Sequence, residues 1–104
     1  MDSKLTLVVA LYVHPGHETE YEQFESAAAR IMGRYGGRIE RRIRCVAPAD
    51  DTRPHEVHVV TFPDAQAFVR YRGDAELKGL AELRARAIRE TTVWSGADLP
   101  PFEI

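Results

Sequence analysis

The stretch from Glu56 to Tyr71, EVHVVTFPDAQAFVRY, most constrains what this chain can fold into. Its first seven residues are rich in β-branched and aromatic side chains, which suit a pleated strand. Val57, Val59 and Thr61 fall on one face of that strand, and His58, Val60 and Phe62 fall on the other. Both faces carry apolar residues, so the strand is expected at the centre of a sheet with cover on both sides. Pro63 lacks the N–H that a ladder needs, so the strand stops there. Asp64 can cap a helix, and Ala67, Phe68 and Tyr71 give that helix a short apolar stripe. A central strand that turns at once into a helix is the frame for the rest.

The flanking segments fit around it. Leu5 to Val13 alternates Leu5, Leu7, Val9, Leu11 and Val13 on one face with Thr6, Val8, Ala10, Tyr12 and His14 on the other, which reads as a strand. His14-Pro15-Gly16-His17 is a turn. A helix is expected from His17 or Glu18 to Tyr35, with acidic residues in its first turn. Its apolar stripe is Tyr21, Phe24, Ala28, Ile31, Met32 and Tyr35. Gly36-Gly37 ends it. Arg38 to Val46 alternates again and reads as a second strand. Ala47 to Pro54 reads as an exposed hairpin-type loop. Beyond Gly73-Asp74 a further helical segment runs from Ala75 to about Ile88, with Leu77, Leu80, Leu83, Arg84, Ala87 and Ile88 toward the core. Arg89 to Ser95 is the last strand.

The order is βαββαβ. With right-handed crossovers this is an α+β fold, the ferredoxin-like plait: a four-stranded antiparallel sheet with its helices on one face. At 104 residues the chain is expected to be a single domain, with a core over about 5–96 and a C-terminal tail at 97–104. Helices cover one sheet face only, yet the first and third strands are apolar on both. A second copy packed sheet to sheet would cover the other, so a homodimer is expected.

Fourteen basic and sixteen acidic residues leave a net charge of −2, which argues for neither nucleic acid nor an anionic membrane as partner. No apolar run approaches the roughly 20 residues that span a bilayer. Met1-Asp2-Ser3-Lys4 lacks the basic segment of a signal peptide, and Cys45 is a lone cysteine, so a reducing, cytoplasmic setting is the natural expectation.

Tyr21-Glu22-x-Phe24, Gly36-Gly37-Arg38, Phe62-Pro63-Asp64, Ala67-Phe68, Tyr71, Asp74-Ala75-Glu76-Leu77 and Arg84 occur in this order. In them the chain resembles the dimeric α+β barrel superfamily over about Leu5 to Gly96. Within it, it is most similar to the domain-of-unknown-function family numbered thirteen-thirty. It is more distantly similar to the antibiotic-biosynthesis-type monooxygenases. The resemblance implies two sheets forming a barrel across a dimer, with a cleft between each sheet and its helices. It also points to Arg42 and Arg84 as ligand-binding positions.

The candidate site residues divide by strand face. If Leu5, Leu7, Val9 and Leu11, with Ile39, Ile43 and Cys45, face the helices, then Tyr12, His14, Glu40, Arg42 and Arg44 gather on the far side of the sheet. Such a cluster would bind a small carboxylate or enolate, arginine gripping it with two hydrogen bonds. The blander reading is a salt-bridge network at a dimer interface. His58 is a candidate general base, as is His14; the commoner role of a strand histidine such as His58 is a hydrogen-bonded core or interface residue. Facing the helices, His58 would be structural; facing an open barrel, it would be the first residue to test. Arg84 would anchor its helix or line a pocket, and Tyr71 would be core or cleft wall, with a place among the candidate ligand-binding residues. His14-x-x-His17 offers no third metal ligand, and nothing resembles a phosphate loop or a haem ligand, so no metal and no cofactor is expected. The expected function is binding of a small organic molecule, anionic if Arg42 is its anchor, between sheet and helices. The alternatives are a cofactor-independent monooxygenase or isomerase, and a structural or regulatory dimer without a ligand.

Overall fold

The computed structural model describes residues 4–46 and 52–103. The loop expected from Ala47 to Pro54 therefore lies partly outside the described residues. In chain order the elements are β1 (Leu5–Val13), α1 (Glu18–Gly33), β2 (Arg38–Arg44), β3 (Glu56–Phe62), α2 (Ala65–Arg72), α3 (Ala75–Lys78), α4 (Ala81–Ala87) and β4 (Ile88–Gly96). The four strands form one antiparallel sheet in the order β2-β3-β1-β4. This is the ferredoxin-like α+β plait, with β3 and β1 central.

Local chemistry sets the boundaries. The α1 stripe of Tyr21, Phe24, Ala28, Ile31 and Met32 is buried against the sheet. Gly36 takes φ +75°, which lets the Gly37 N–H reach back to the Met32 carbonyl at 3.0 Å. The chain then passes so close to β3 that a Cβ on Gly37 would lie 2.5 Å from Phe62 Cε1. The Asp64 carboxylate accepts the Ala67 N–H at 2.8 Å and caps α2. Asp74 caps α3 by accepting from the Glu76 and Leu77 N–H groups, and it also accepts from the Tyr35 hydroxyl at 2.6 Å.

The segment expected as one helix from Ala75 to Ile88 is two short helices, parted at Gly79-Leu80. Glycine gives the break its lowest helix propensity. Ile88 does not end the helix; it opens β4.

Residues paired directly across an antiparallel ladder point to the same side. Leu7, Val9 and Leu11 pair with Val60, His58 and Glu56, and all of them lie under the helices. Val8 and Ala10 pair with Val59 and Val57 on the opposite face, where Trp94 is the partner of Val8 on β4. The helix-side core forms in two patches. One joins Leu11, Tyr21, Phe24, Ala28, Ala87 and Ile88; the other joins Leu7, Met32, Val60, Phe62 and Ala67.

Candidate functional site: a cleft between sheet and helices

A cavity of about 350 Å³ lies where the two core patches meet. Its floor is Leu7, Val9, Leu11, His58 and Val60 from the central strands. Phe24, Glu25 and Met32 of α1 close one side. Phe68, Tyr71 and Arg72 of α2 close another, with Leu77 and Arg84 beyond them. Phe68 and Tyr71 stand 5.3 and 5.5 Å from the Phe62 ring and form an aromatic wall. Arg72, Arg84 and Val93 line the cavity and are also exposed, so they mark its mouth. The Arg72 guanidinium lies over the Phe68 ring at 5.6 Å, and Arg84 donates to the Thr91 hydroxyl at 3.0 Å.

The lining is mostly apolar, and its polar groups are few. The Glu25 carboxyl is mainly buried, and its pKa is raised to about 7. Burial is the chief cause; the negative charge of Glu56 adds to it, and Arg42 and Arg84 oppose it. The Tyr71 hydroxyl is pushed up to about 12, first by burial and then by the charge of Glu25. His58 Nδ1 stands 3.6 Å from Glu25 Oε1.

Behind His58 is a second carboxylate. Glu56 and His58 are each only 2% exposed. His58 Nε2 lies 2.8 Å from Glu56 Oε1, and the Tyr21 hydroxyl donates to the same oxygen at 2.7 Å. Arg42 and Arg44 each donate to Glu56 Oε2 at 2.7 Å, and Arg42 also reaches Glu22 at 2.9 Å. Burial pushes the Glu56 carboxyl up, but the hydrogen bonds from Arg42, His58, Arg44 and Tyr21 together outweigh it and hold the group well below its ordinary range. Glu56 is therefore ionised, and the proton between it and the imidazole sits on His58 Nε2. That leaves Nδ1 as the ring nitrogen on the Glu25 side.

The expected cluster on the far side of the sheet does not form. Ile39 pairs with Val60 as alternation requires, but the register shifts before Arg41, which pairs with Val59. The extra residue, Glu40, is a bulge, and a one-residue insertion flips every later side chain. Arg42 and Arg44 consequently pair with His58 and Glu56 and lie on the helix side, while Ile43 pairs with Val57 on the other. Arg42 holds Glu56 and Glu22 and does not line the cavity. Glu40 accepts from Thr61 at 3.0 Å, and Tyr12 carries the Arg89 guanidinium over its ring at 5.3 Å. His14 packs edge-on against His17 at 6.1 Å, and His17 Nδ1 lies 3.1 Å from Glu20.

Of the residues singled out from sequence, the cavity gathers His58, Tyr71 and Arg84. Sequence reasoning missed Glu25, Glu56 and Arg72. Glu25 carried a signal: it stands four residues after Tyr21 and three before Ala28, on the apolar stripe of α1. Glu56 shares a strand face with His58 two residues on, which alternation alone makes visible. Arg72 carried none.

Among the described residues, no helix is long and apolar enough to cross a membrane. No curated protein matches the chain. Solved structures do. One is the RPA0582 protein of unknown function from Rhodopseudomonas palustris, with TM-score 0.79 and 14% identity over 97% of this chain and 86% of that one. Another is SnoaB, a cofactor-independent oxygenase from Streptomyces nogalater, with TM-score 0.67 and 19% identity over 96% and 99%. A third is a dabb family protein with a ferredoxin-like fold from Mesorhizobium loti, with TM-score 0.61 and 18% identity over 93% and 98%. Identities this low speak for the fold alone. The family model for a domain of unknown function, DUF1330, matches residues 7–96, and the chain belongs to that family.

Proposed function

We propose that this chain is a single-domain, homodimeric small-molecule-binding protein that holds a compact, mainly apolar organic acid in the cleft between sheet and helices. The observation that carries this reading is the cavity itself. At about 350 Å³ it is at the small end of ligand pockets, and its apolar lining with a few convergent polar groups is their usual composition. Arg72 and Arg84 at the mouth would take the acid group, and the aromatic wall of Phe62, Phe68 and Tyr71 would take the body. Arg42, committed to two carboxylates, is a structural residue in this reading.

The homodimer is supported by the sheet face that, among the described residues, no helix covers. Val8, Val57 and Val59 lie there, with Ile43 44% and Trp94 54% exposed beside them. A second copy of the same face would bury them, the self-complementary arrangement of a two-fold dimer. A cytoplasmic setting fits the lone Cys45. The SnoaB likeness concerns that protein's fold and adds no oxygenase reading here.

Thermal-shift screening against small aromatic acids and quinones tests the ligand. Acids should raise the melting temperature, and Arg84→Ala with Arg72→Ala should remove the shift while leaving the unliganded melt near wild type. A full screen without a shift, or a shift unchanged in the double variant, would sink the proposal. Light scattering tests the assembly: twice the chain mass is expected for wild type and the chain mass for Trp94→Glu. A wild-type monomer at micromolar concentration would overturn the dimer.

A further inference from the structure

The cavity has more at its deep wall than a binding surface requires. A carboxyl and an imidazole face one another across 3.6 Å, and both line the cavity. The far nitrogen of the imidazole is tied to an ionised carboxylate that two arginines and a tyrosine hold in place. The ring cannot turn without breaking that bond, so Nδ1 stays aimed at Glu25. We propose that Glu25 and His58 form a proton-transfer site for a carbon acid, a carbonyl compound with an acidic C–H next to its carbonyl, bound in the cavity. This rests on the small-molecule reading above and assigns that site an activity.

The chemistry closes without a co-reactant. The Glu25 carboxylate takes the proton from the carbon next to the carbonyl. The C–H electron pair becomes the C=C bond of an enolate, and the carbonyl π pair moves onto oxygen. The Tyr71 hydroxyl and the Arg84 guanidinium, both lining residues, are donors for that oxygen. His58 Nδ1 shares the proton that Glu25 has gained. Return of a proton to the same carbon exchanges it with solvent; return to a conjugated carbon shifts a double bond. No electrons leave the molecule.

The surroundings suit a base that works near neutrality. The charged and titratable groups facing Glu25 are His58 and Glu56 from β3, Arg42 from β2, Glu22 and Tyr21 from α1, Tyr71 from α2 and Arg84 from α4. Burial and the Glu56 charge make the carboxylate more basic than one in water, and the two arginines keep it from being neutral throughout.

The test is deuterium uptake followed by proton NMR. Phenylpyruvate has an aromatic body, a carboxylate for the mouth arginines and an acidic C–H at carbon 3; acetylacetone has the acidic C–H without the carboxylate. Wild type should speed exchange of the phenylpyruvate carbon 3 protons by about a hundredfold over buffer. Exchange should rise with pH through about 7, as Glu25 ionises. Glu25→Gln should lose the acceleration while phenylpyruvate still raises its melting temperature; Glu25→Asp should recover part of it. His58→Asn should move the pH midpoint, which a merely structural role would not do. Binding without exchange, or undiminished exchange in Glu25→Gln, would overturn the proton-transfer site and leave the binding reading intact. Neither binding nor exchange would overturn both.

Discussion

Replacing Glu56 by glutamine changes one oxygen for an amide and almost nothing in volume, so its cost measures the hydrogen bonding at the head of β3. The wild-type carboxylate accepts from Tyr21, His58, Arg42 and Arg44 at once. An amide offers one acceptor oxygen and turns an NH2 toward the remaining donors. On the arginine side the loss is softened, because Arg42 and Arg44 are about half exposed and keep water. On the inner side it is not. Tyr21 is fully buried and His58 nearly so, and a buried donor left unpaired costs about 1–3 kcal/mol. The expected total is about 3 kcal/mol, which for a domain of this size lowers the melting temperature by roughly 10–20 °C. Urea unfolding followed by circular dichroism at pH 7 gives the first number and a thermal scan the second. The pH dependence supplies a control. The folded carboxyl titrates below its ordinary value of 4.5, so the unfolded chain takes up the proton first. The stability Glu56 contributes is therefore complete above about pH 4.5 and lost as pH falls toward the folded value. The gap between wild type and Glu56→Gln should narrow over that range. A gap under about 0.5 kcal/mol at pH 7, the scatter of ordinary surface changes, would refute the reasoning. A gap that stays constant down to pH 3 would show that charge is not what the site uses.

Three further outcomes are expected. Gly37→Ala should cost about 1–3 kcal/mol by urea unfolding, because its Cβ would run into Met32 Cγ and lie 2.5 Å from the Phe62 ring in an already packed core. Asp74→Ala should cost about 1–2 kcal/mol, since it removes the α3 cap and leaves the Tyr35 hydroxyl without its 2.6 Å acceptor; retained stability would place the cap's role elsewhere. Glu25→Gln should become more stable than wild type above pH 7, by about 3 kcal/mol. The sign follows from a folded pKa raised from 4.5 to about 7: the folded state holds the proton longer, so wild-type stability is full below about 4.5 and falls as pH rises to 7, and the variant lacks that slope.

Most of the fold was legible because its signals are local and redundant. Period 2 in β1 and β3, the acidic first turn of α1, Gly36-Gly37 and the Asp64 cap each name an element, and their order leaves few topologies. The site was less legible, and one residue explains much of the difference. Ile39, Arg41 and Ile43 alternate without fault in the sequence, so nothing announces the extra residue at Glu40. A bulge is chosen by what β3 offers across the ladder: Glu56 and His58 on the helix side draw Arg42 and Arg44 inward, and Thr61 on the other side takes Glu40. That choice moved Arg42 from candidate ligand anchor to structural partner. Glu25 was hidden for a different reason, because an acidic residue on a helix stripe reads as solvated until the neighbouring elements are seen to close over it.

Strand β3 therefore serves two roles that its alternation keeps apart. Glu56, His58, Val60 and Phe62 build the floor of the cleft and the network behind it, while Val57, Val59 and Thr61 belong to the open face. Substitutions on one set leave the other set's contacts in place, so ligand binding and assembly should separate. Val59→Lys would place a charge in the middle of the open face without touching Glu25 or His58. If the cleft belongs to each protomer alone, that variant should be monomeric in light scattering and still give the wild-type thermal shift with an aromatic acid. If instead the shift disappears with the dimer, the second copy completes the cleft, and the mouth formed by Arg72, Arg84 and Val93 is only part of the binding site.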